Sequence, residues 1–201
     1  EVYQTPVIPT LDDYLVCDDS SDGDDTNGQT NIDLSSFNNQ VYNGQSTSLF
    51  NISYHSNLNE ANANQNPLNL NYYNTTPFQE EIFVRLENMN NIDCYSVESF
   101  NLIINPVPES FDHTILQCDE DGIPDGYTIF NLEEAVSDIT NGDNNLDVIF
   151  YNSLNDAENE NSPITNSTSY NNLTNPQVVF ASTIDVNGCS HITELTLEVS
   201  T

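Results

Sequence analysis

The sequence is almost devoid of positive charge. It has no lysine and a single arginine, Arg85, against 32 acidic residues, which gives a formal net charge of −31 over 201 residues. A nucleic-acid partner is therefore excluded, because nothing could replace the counterions around the phosphates. Electrostatic docking on an anionic membrane is excluded for the same reason. Tryptophan is absent, and no apolar run reaches the roughly 18 residues of a membrane-spanning helix.

What the chain does contain is asparagine and aromatic rings. There are 32 asparagines, 10 tyrosines and 9 phenylalanines, and 36% of the residues are hydrophobic. An acidic disordered tail carries few aromatic residues, so this composition indicates a folded, acidic β protein.

An internal repeat organises the sequence. Segment 54–61 (YHSNLNEA) aligns without a gap on segment 150–157 (FYNSLNDA), and Tyr73-Asn74 aligns on Tyr170-Asn171. Equivalent positions lie 95 to 101 residues apart, as 189 − 94 = 95 and 118 − 17 = 101 for the aligned cysteines. The chain therefore consists of two copies of one module.

The same alignment predicts the module boundaries. Residues 6–105 form the first module and residues 106–201 the second. Residues 1–5 align on residues 101–105, the end of the last strand of the first module. We therefore expect residues 1–5 to be the end of a preceding repeat in a longer tandem array.

Short apolar bursts separated by clusters of Asn, Gly, Pro and Ser occur in both modules. Bursts of about 4–8 residues rich in β-branched and aromatic side chains are typical of strands. The predicted strands are 48–54, 81–86, 97–104, 147–151, 177–182 and 191–199. This pattern predicts an all-β protein of two tandem immunoglobulin-like β-sandwich modules.

Both modules also contain a helical pattern, in which apolar residues are three or four positions apart. In the second module the pattern is clear, at Leu132, Ala135, Val136 and Ile139. In the first module it is weaker, at Leu34, Phe37 and Val41. We therefore predict one short helix in each module.

Each module has one cysteine near its start and one before its last strand. Four cysteines allow three pairings. If each repeat is self-sufficient, pairing within modules is favoured, Cys17 with Cys94 and Cys118 with Cys189. Disulfides predict an extracellular location, with free thiols as the alternative. A zinc site would need CxxC spacing or clustered histidines, and the sequence has neither.

An acidic loop follows the first cysteine of each module. Carboxylates at alternating positions around a glycine turn suit Ca²⁺, which takes about six to eight oxygen ligands. Structural calcium is therefore predicted, with ligands drawn from Asp119, Asp121, Asp125, Asp112, Asp18, Asp22 and Asp24. The alternative is a solvated turn rich in Asp and Gly.

Residues for catalysis are scarce. None of His55, His113 and His191 aligns on a histidine of the other module, and no nucleophile motif such as G-x-S-x-G accompanies them. Carboxylates abound, but a small sandwich module rarely has the pocket that a glycosidase pair needs. The sequence predicts a protein that is not an enzyme. Arg85 is expected to form an ion pair with an acidic neighbour, with ligand binding as the alternative.

Two stretches resemble tandem repeats of large flavobacterial (Bacteroidetes) cell-surface adhesins. They are the acidic loop 118–126 (CDEDGIPDG) and segment 150–157. The resemblance covers both modules, although the acidic loop of the first module is longer. It implies export by the type IX secretion system and a role similar to that of gliding-motility adhesins.

The leading hypothesis for function is an extracellular repeat segment of a bacterial surface adhesin or stalk, non-catalytic, which projects or carries a binding tip. One alternative is a carbohydrate- or surface-binding module of a secreted enzyme, which an exposed aromatic row at Tyr72, Tyr73 and Tyr170 would favour. Another is a subunit segment of an extracellular filament. The expected partners are neighbouring repeats of the same polypeptide and a surface polysaccharide or other cell-surface ligand, without nucleic acid or membrane insertion.

Overall fold

The computed structural model of the chain describes residues 2–119 and 123–200. The chain divides into two units, Glu1–Pro106 and Val107–Thr201. Both are mostly β, so the prediction of two tandem immunoglobulin-like modules is confirmed. In the part of the chain that the structure describes, no helix has the length and apolar character needed to cross a membrane.

The first unit is built on a four-stranded sheet. Its strands are, in chain order, β1 Tyr14–Cys17, β2 Asn31–Asp33, β3 Phe50–His55, β4 Asn71–Tyr73, β5 Gln79–Asn88 and β6 Asn91–Asn105. The main sheet has the order β1-β6-β5-β3, and β2 pairs with β4 in a separate two-stranded sheet. Strand β1 runs parallel to β6, whereas β5 is antiparallel to both of its neighbours.

The second unit repeats this arrangement strand for strand. Its strands are β7 His113–Cys118, β8 Ile129–Phe130, β9 Asp147–Tyr151, β10 Tyr170–Asn171, β11 Gln177–Ile184 and β12 Ser190–Ser200. The main sheet has the order β7-β12-β11-β9, with β8 paired to β10. Strand β7 is again parallel to its neighbour, β12. The repeat in the sequence is therefore a repeat of topology.

Alternating side chains of the long strands form the core of each unit. In β6, Phe100, Leu102 and Ile104 are buried, while the residues between them are partly exposed. Since successive strand residues point to opposite faces, one face of the sheet supplies the core. In β12 the same positions are taken by Leu195, Leu197 and Val199, all buried.

The helical patterns form short helices in both units. A 3-10 turn at Leu34–Phe37 leads into helix α1, Asn38–Tyr42, and a second at Leu132–Ala135 leads into helix α3, Val136–Ile139. Their apolar residues belong to the cores. The predicted helix is therefore present in each unit.

Each unit has a further helix that the sequence patterns did not predict. These are α2, Leu58–Ala63, and α4, Leu154–Glu158. The side chain of Asn57 accepts a hydrogen bond from the backbone N–H of Glu60 at 3.0 Å, and Ser153 caps α4 in the same way. A capping residue followed three positions later by an acidic residue was the signal for both helices.

The strand register corrects one part of the sequence alignment. Tyr72 pairs with Ile32 in the first unit, and Tyr170 pairs with Phe130 in the second. Because Ile32 and Phe130 are equivalent, Tyr170 corresponds to Tyr72 and not to Tyr73. The alignment of Tyr73 on Tyr170 was wrong by one residue, since an ungapped match of Tyr-Asn cannot distinguish two consecutive tyrosines.

Candidate functional site: cysteines and acidic loops

The cysteines have two different states. Cys17 and Cys189 are each disulfide-bonded. Cys94 and Cys118 are free. The predicted pairing within modules, Cys17 with Cys94 and Cys118 with Cys189, is therefore wrong.

The parallel strand explains why the pairing within a module fails. Cys17 is the last residue of β1 and lies beside Asn105, the last residue of β6. Cys94 also lies in β6, 105 − 94 = 11 residues from Asn105. At about 3.3 Å per strand residue the two cysteines are some 36 Å apart, whereas a disulfide needs Cα atoms within about 7 Å. They occupy opposite ends of the sheet.

The second unit has the same geometry. Cys118 ends β7 and lies beside Ser200. Cys189 directly precedes β12, at 200 − 189 = 11 residues from Ser200. Each module therefore carries one cysteine at either end of its main sheet, and no module can close a disulfide by itself.

The acidic loop of the first unit begins with a buried carboxylate. Asp18 is 3% exposed. One of its oxygens accepts from the backbone N–H of Gly28 at 2.7 Å, and the other from the N–H of Asp19 at 2.9 Å. Asp18 thus joins the two ends of the loop. Its burial is tolerated because these N–H donors compensate for the lost hydration of the carboxylate.

The surroundings of Gly28, whose N–H donates to Asp18, require a glycine at this position. Gly28 has a φ of +74°, and a Cβ there would lie 2.5 Å from Cδ1 of Phe78. The carbonyl oxygen of Gly28 in turn accepts from the N–H of Phe78 at 2.9 Å. The loop therefore ends in a position that only glycine fits.

The other predicted ligands in this loop also accept hydrogen bonds from the chain. Asp22 accepts from the hydroxyl of Tyr73 at 2.6 Å and from the side-chain amide of Asn27 at 2.8 Å. These two bonds, that of Tyr73 above all, hold the pKa of the Asp22 carboxyl below its usual value of 3.8. Asp24 accepts from the N–H and the hydroxyl of Thr26.

The hydrogen bond between Tyr73 and Asp22 also affects the tyrosine. It opposes ionisation of the phenol next to a carboxylate and raises the pKa of Tyr73 to about 12. The two groups therefore stabilise each other across an exposed surface, far apart in sequence but close in the fold.

The loop of the second unit is shorter and is organised by Asp119. Its Oδ2 accepts from the backbone N–H groups of Asp125 and Gly126, at 3.1 and 3.0 Å. Its Oδ1 is buried and has no hydrogen-bond partner among the residues that the structure describes. Asp125 accepts from the N–H of Tyr127 at 3.1 Å.

Two further residues were predicted as calcium ligands. Asp112 precedes β7, where it accepts from the N–H of Glu194 at 2.8 Å, and Asp121 lies outside the described residues. Within residues 2–119 and 123–200, no three His, Cys, Asp or Glu side chains form a group suited to a metal ion. Structural calcium in these loops stays a prediction.

A buried asparagine secures the loop in each unit, and the sequence alignment missed it. Asn74 accepts from the N–H of Thr30 at 2.7 Å and donates to the carbonyl oxygens of Gly28 and Thr76 at 2.8 and 2.9 Å. One amide therefore ties the loop, β2 and the segment after β4 together.

Asn172 makes the corresponding contacts in the second unit. It accepts from the N–H of Thr128 at 2.8 Å and donates to the carbonyl oxygens of Gly126 and Thr174 at 2.8 and 3.0 Å. Alignment of Tyr72-Tyr73-Asn74 on Tyr170-Asn171-Asn172 would have revealed the equivalence.

The tyrosines proposed as an exposed aromatic row do not form one. Tyr72 and Tyr170 are 8% and 6% exposed and belong to the cores. Their hydroxyls hydrogen-bond to equivalent residues, Glu80 at 2.8 Å and Gln177 at 2.6 Å. Only Tyr73 of the three is exposed, at 39%.

Arg85 forms the predicted ion pair, further hydrogen bonds and a contact with an aromatic ring. Its Nε is 2.8 Å from a carboxylate oxygen of Glu87, and both side chains are buried. The guanidinium also donates to the carbonyl oxygens of Ala61 and Ile92 and lies 3.5 Å from the ring centroid of Tyr95. Ala61 is in the last turn of α2, so the lone arginine satisfies helix-end carbonyls. It is a structural residue.

The three histidines have separate partners. His55 is buried between the hydroxyl of Ser53 and the carbonyl of Gln65, at 2.9 Å each. The acidic partner of His113 is Asp138, at 3.6 Å, and not the adjacent residue Asp112. His191 contacts the hydroxyl of Ser110 at 2.8 Å. No two of them share an acid or a nucleophile among these contacts.

Comparison with known proteins identifies both modules with one family. A family model described as "Flavobacterium inter-domain disulphide bond domain" matches residues 13–108 and again residues 114–201. No curated protein matches the chain.

Similarity to solved structures is distant. The chain is similar to Drosophila N-cadherin EC1-4, with 10% identity and a TM-score of 0.27, over 75% of this chain and 42% of that one. For Drosophila N-cadherin EC1-3 the identity is 9% and the TM-score 0.27, over 77% of this chain and 56% of the other. The chain thus spans about half the length of each.

Proposed function

The chain belongs to the family of Flavobacterium inter-domain disulphide bond domains, and we propose from this that it is an extracellular repeat segment of a bacterial surface adhesin or stalk. In this role it projects or carries a binding tip and catalyses no reaction. Its partners are the neighbouring repeats of the same polypeptide and a polysaccharide or other ligand at the cell surface.

The observation that carries the proposal is the disulfide in a repeated module. One module occurs twice with the same strand order, and each copy contains one disulfide-bonded cysteine, Cys17 in the first and Cys189 in the second. The family description names an inter-domain disulfide. Such a bond between modules would resist extension of the chain, which a stalk under load requires and a freestanding enzyme domain does not.

The remaining features agree with this proposal. Disulfides persist in oxidising compartments, which supports an extracellular location. The formal net charge of −31 keeps such a segment soluble and opposes nonspecific association with other acidic surfaces. The genus in the family description agrees with the resemblance to flavobacterial adhesins, and export by the type IX system and a part in gliding motility are proposed on that resemblance.

The test separates a stalk from a binding module. In cells that make the parent protein, residues 6–201 are deleted or replaced by two unrelated immunoglobulin-like modules of similar length. The proposal expects an antibody against the chain to label intact wild-type cells, and expects deletion to reduce adhesion. Replacement should restore adhesion if the segment only projects the tip.

Two results would argue against this function. Absence of antibody labelling on intact cells would contradict the surface location, and unchanged adhesion after deletion would contradict the adhesive role. If the purified chain competes with whole cells for the surface, and replacement does not restore adhesion, the segment itself binds the ligand.

A further inference from the structure

Four asparagines of the chain are followed directly by glycine, at Asn27, Asn43, Asn141 and Asn187. Such a pair is open to a reaction within the chain, in which the backbone nitrogen of the glycine attacks the side-chain carbonyl carbon of the asparagine. Glycine favours this attack because it has no Cβ to hinder the nitrogen or restrict the backbone. A hydrogen bond from the glycine N–H opposes it, because that bond has to break first. The fold therefore decides which of the four pairs reacts fastest.

Two of the pairs are held by hydrogen bonds at both reacting groups. The N–H of Gly28 donates to Asp18 at 2.7 Å, and the side-chain amide of the preceding asparagine donates to Asp22 at 2.8 Å. The N–H of Gly188 and the side-chain amide of the preceding asparagine both donate to Asp185, at 3.0 and 3.1 Å. These contacts protect both pairs from the reaction.

The other two pairs follow the equivalent helices α1 and α3. Asn43 and Asn141 have left-handed backbones, with φ values of 44° and 50°. Both asparagines and the glycines after them are exposed to solvent. Exposure therefore does not distinguish these two pairs from each other.

The two helix ends differ in the hydrogen bond of the glycine. In the second unit, the N–H of Gly142 donates to the carbonyl oxygen of Ser137 at 2.8 Å, which is the longer bond of a Schellman motif. In the first unit, the N–H of Asn43 itself donates to the carbonyl oxygen of Asn39 at 3.1 Å, which is the simpler left-handed cap. Among the described residues, the N–H of Gly44 has no hydrogen-bond partner.

We propose that Asn43–Gly44 is a site of spontaneous deamidation, at which water converts the asparagine to aspartate or isoaspartate. It is the one Asn–Gly pair of the described residues whose glycine N–H is free. Either product adds one negative charge to a surface loop. The inference does not depend on the adhesive role proposed above and can stand if that role fails.

The reaction needs no component other than water. The backbone nitrogen of Gly44 gives its proton to water and forms a bond to Cγ of Asn43, while the bond from Cγ to Nδ2 breaks and ammonia leaves with a proton from water. A second water then opens the five-membered ring at either of its two carbonyl carbons. In sum, one water is consumed and one ammonia is released, with no oxidation or reduction.

The modification would also affect the segment that precedes the sheet. Gln45 lies directly after the reacting pair, and its side chain accepts from the N–H of Val7 at 3.0 Å and donates to the carbonyl oxygen of Val7 at 2.7 Å. Isoaspartate lengthens the backbone by one methylene group just before Gln45, so this side chain moves relative to residue 7. We therefore expect the amide of Val7 to exchange its hydrogen faster in the isoaspartyl protein.

The direct test is incubation of the folded 201-residue chain in water enriched in the isotope ¹⁸O. Each deamidation during the incubation places one ¹⁸O in the new carboxyl group, and mass spectrometry of the peptides locates it. Asn43 should take up label fastest, with Asn141 roughly fivefold slower because one ordinary hydrogen bond has to break first. In urea the four sites should react at similar rates. The proposal is overturned if any other pair is labelled as fast as Asn43 in the folded chain, or if urea leaves the ratio unchanged.

A matched variant tests the assignment to this residue. Asn43→Gly keeps the left-handed backbone without strain and removes the reacting amide. The fastest phase of ammonia release should disappear in this variant, while the labelling of Asn141 stays as in the wild type. A fast phase that persists in the variant would overturn the site. An unchanged exchange rate at Val7 in the isolated isoaspartyl fraction would overturn its effect on Gln45.

Discussion

The side-chain amide of Asn74 donates a hydrogen bond of 2.8 Å to the carbonyl oxygen of Gly28. Asn172 donates to Gly126 over the same 2.8 Å in the second unit. Both asparagines are buried, and each closes an acidic loop onto the strands that follow it. The acidic loops that follow the first cysteine of each module are therefore held by neutral amides.

The first prediction concerns this amide. Asn74→Asp keeps the acceptor for Thr30 but removes both donated hydrogen bonds, so the carbonyl oxygens of Gly28 and Thr76 lose a partner. Each lost buried hydrogen bond costs about 1–3 kcal/mol, and we expect the loss of two to lower the free energy of unfolding by about 2–6 kcal/mol. Urea denaturation measures this loss, with Asn71→Asp at an exposed position of β4 as the control.

A loss no larger than that of the Asn71→Asp control would show that Asn74 does not hold the loop. The same comparison in the second unit, Asn172→Asp against Asn171→Asp, should give the same result if the two modules are built alike.

The second prediction concerns the buried arginine. Arg85→Met leaves Glu87 buried without its cation, and breaking a buried ion pair in this way costs about 3–5 kcal/mol. The double variant Arg85→Met with Glu87→Leu should be more stable than Arg85→Met alone. Urea unfolding measures both, and Glu98→Gln at an exposed position of β6 serves as the control for a lost charge. Equal stability of the single and double variants would contradict the coupling.

The third prediction concerns the contact between Asp22 and Tyr73. Because the pKa of Asp22 is depressed in the folded state, its contribution to stability is present above the unfolded value of 3.8 and is lost as the pH falls through the folded value. Tyr73→Phe should raise the pKa of Asp22 toward 3.8. NMR titration of the carboxyl carbons measures it, with Asp19, which is hydrogen-bonded to Ser21, as the internal control.

The alkaline side provides an independent check of the same contact. The pKa of Tyr73 is raised to about 12, so its stabilising contribution is present below about pH 10 and is lost as the pH rises toward 12. Ultraviolet titration of the wild type against Asp22→Asn should show one phenol that ionises earlier in the variant. An unchanged titration curve would mean that the two side chains do not interact in solution.

The fourth prediction concerns calcium. If the loops bind Ca²⁺ only in the folded state, chelation at constant ionic strength should lower the melting temperature, because a ligand at a hundredfold excess over its Kd stabilises by about 2.7 kcal/mol. Asp119→Asn keeps an acceptor for Asp125 and Gly126 but removes the charge, so the melting temperature of this variant should respond less to chelator. If chelator does not change the melting temperature of the wild type, the loops are solvated, hydrogen-bonded turns and the calcium prediction is contradicted.

Repetition made much of the fold predictable from sequence. All six of these predicted strands overlap observed strands. The alternation of buried and partly exposed residues is clearest in β6, at Phe100, Leu102 and Ile104. The helices α1 and α3 followed from their apolar spacing. The edge strands β1 and β7 were missed because four to six residues with mixed exposure carry little pattern.

The cysteine pairing could not be predicted for a related reason. It depends on β1 running parallel to β6, which places Cys17 at the opposite end of the sheet from Cys94. A module that folds by itself need not close a disulfide by itself, because a disulfide requires two sulfur atoms that the fold brings close together. The sequence pattern does not reveal this edge strand, and pairing within the module is the simplest solution without it.

The measurement that tests the central claim most directly is differential alkylation of the 201-residue chain. The folded, dilute protein is treated with one alkylating reagent, then reduced under denaturing conditions and treated with a second, and each cysteine is identified by mass spectrometry. The structure predicts that Cys94 and Cys118 carry the first label and that Cys17 and Cys189 carry only the second. A chain in which all four cysteines carry only the second label, with peptides that link Cys17 to Cys94, would contradict the account.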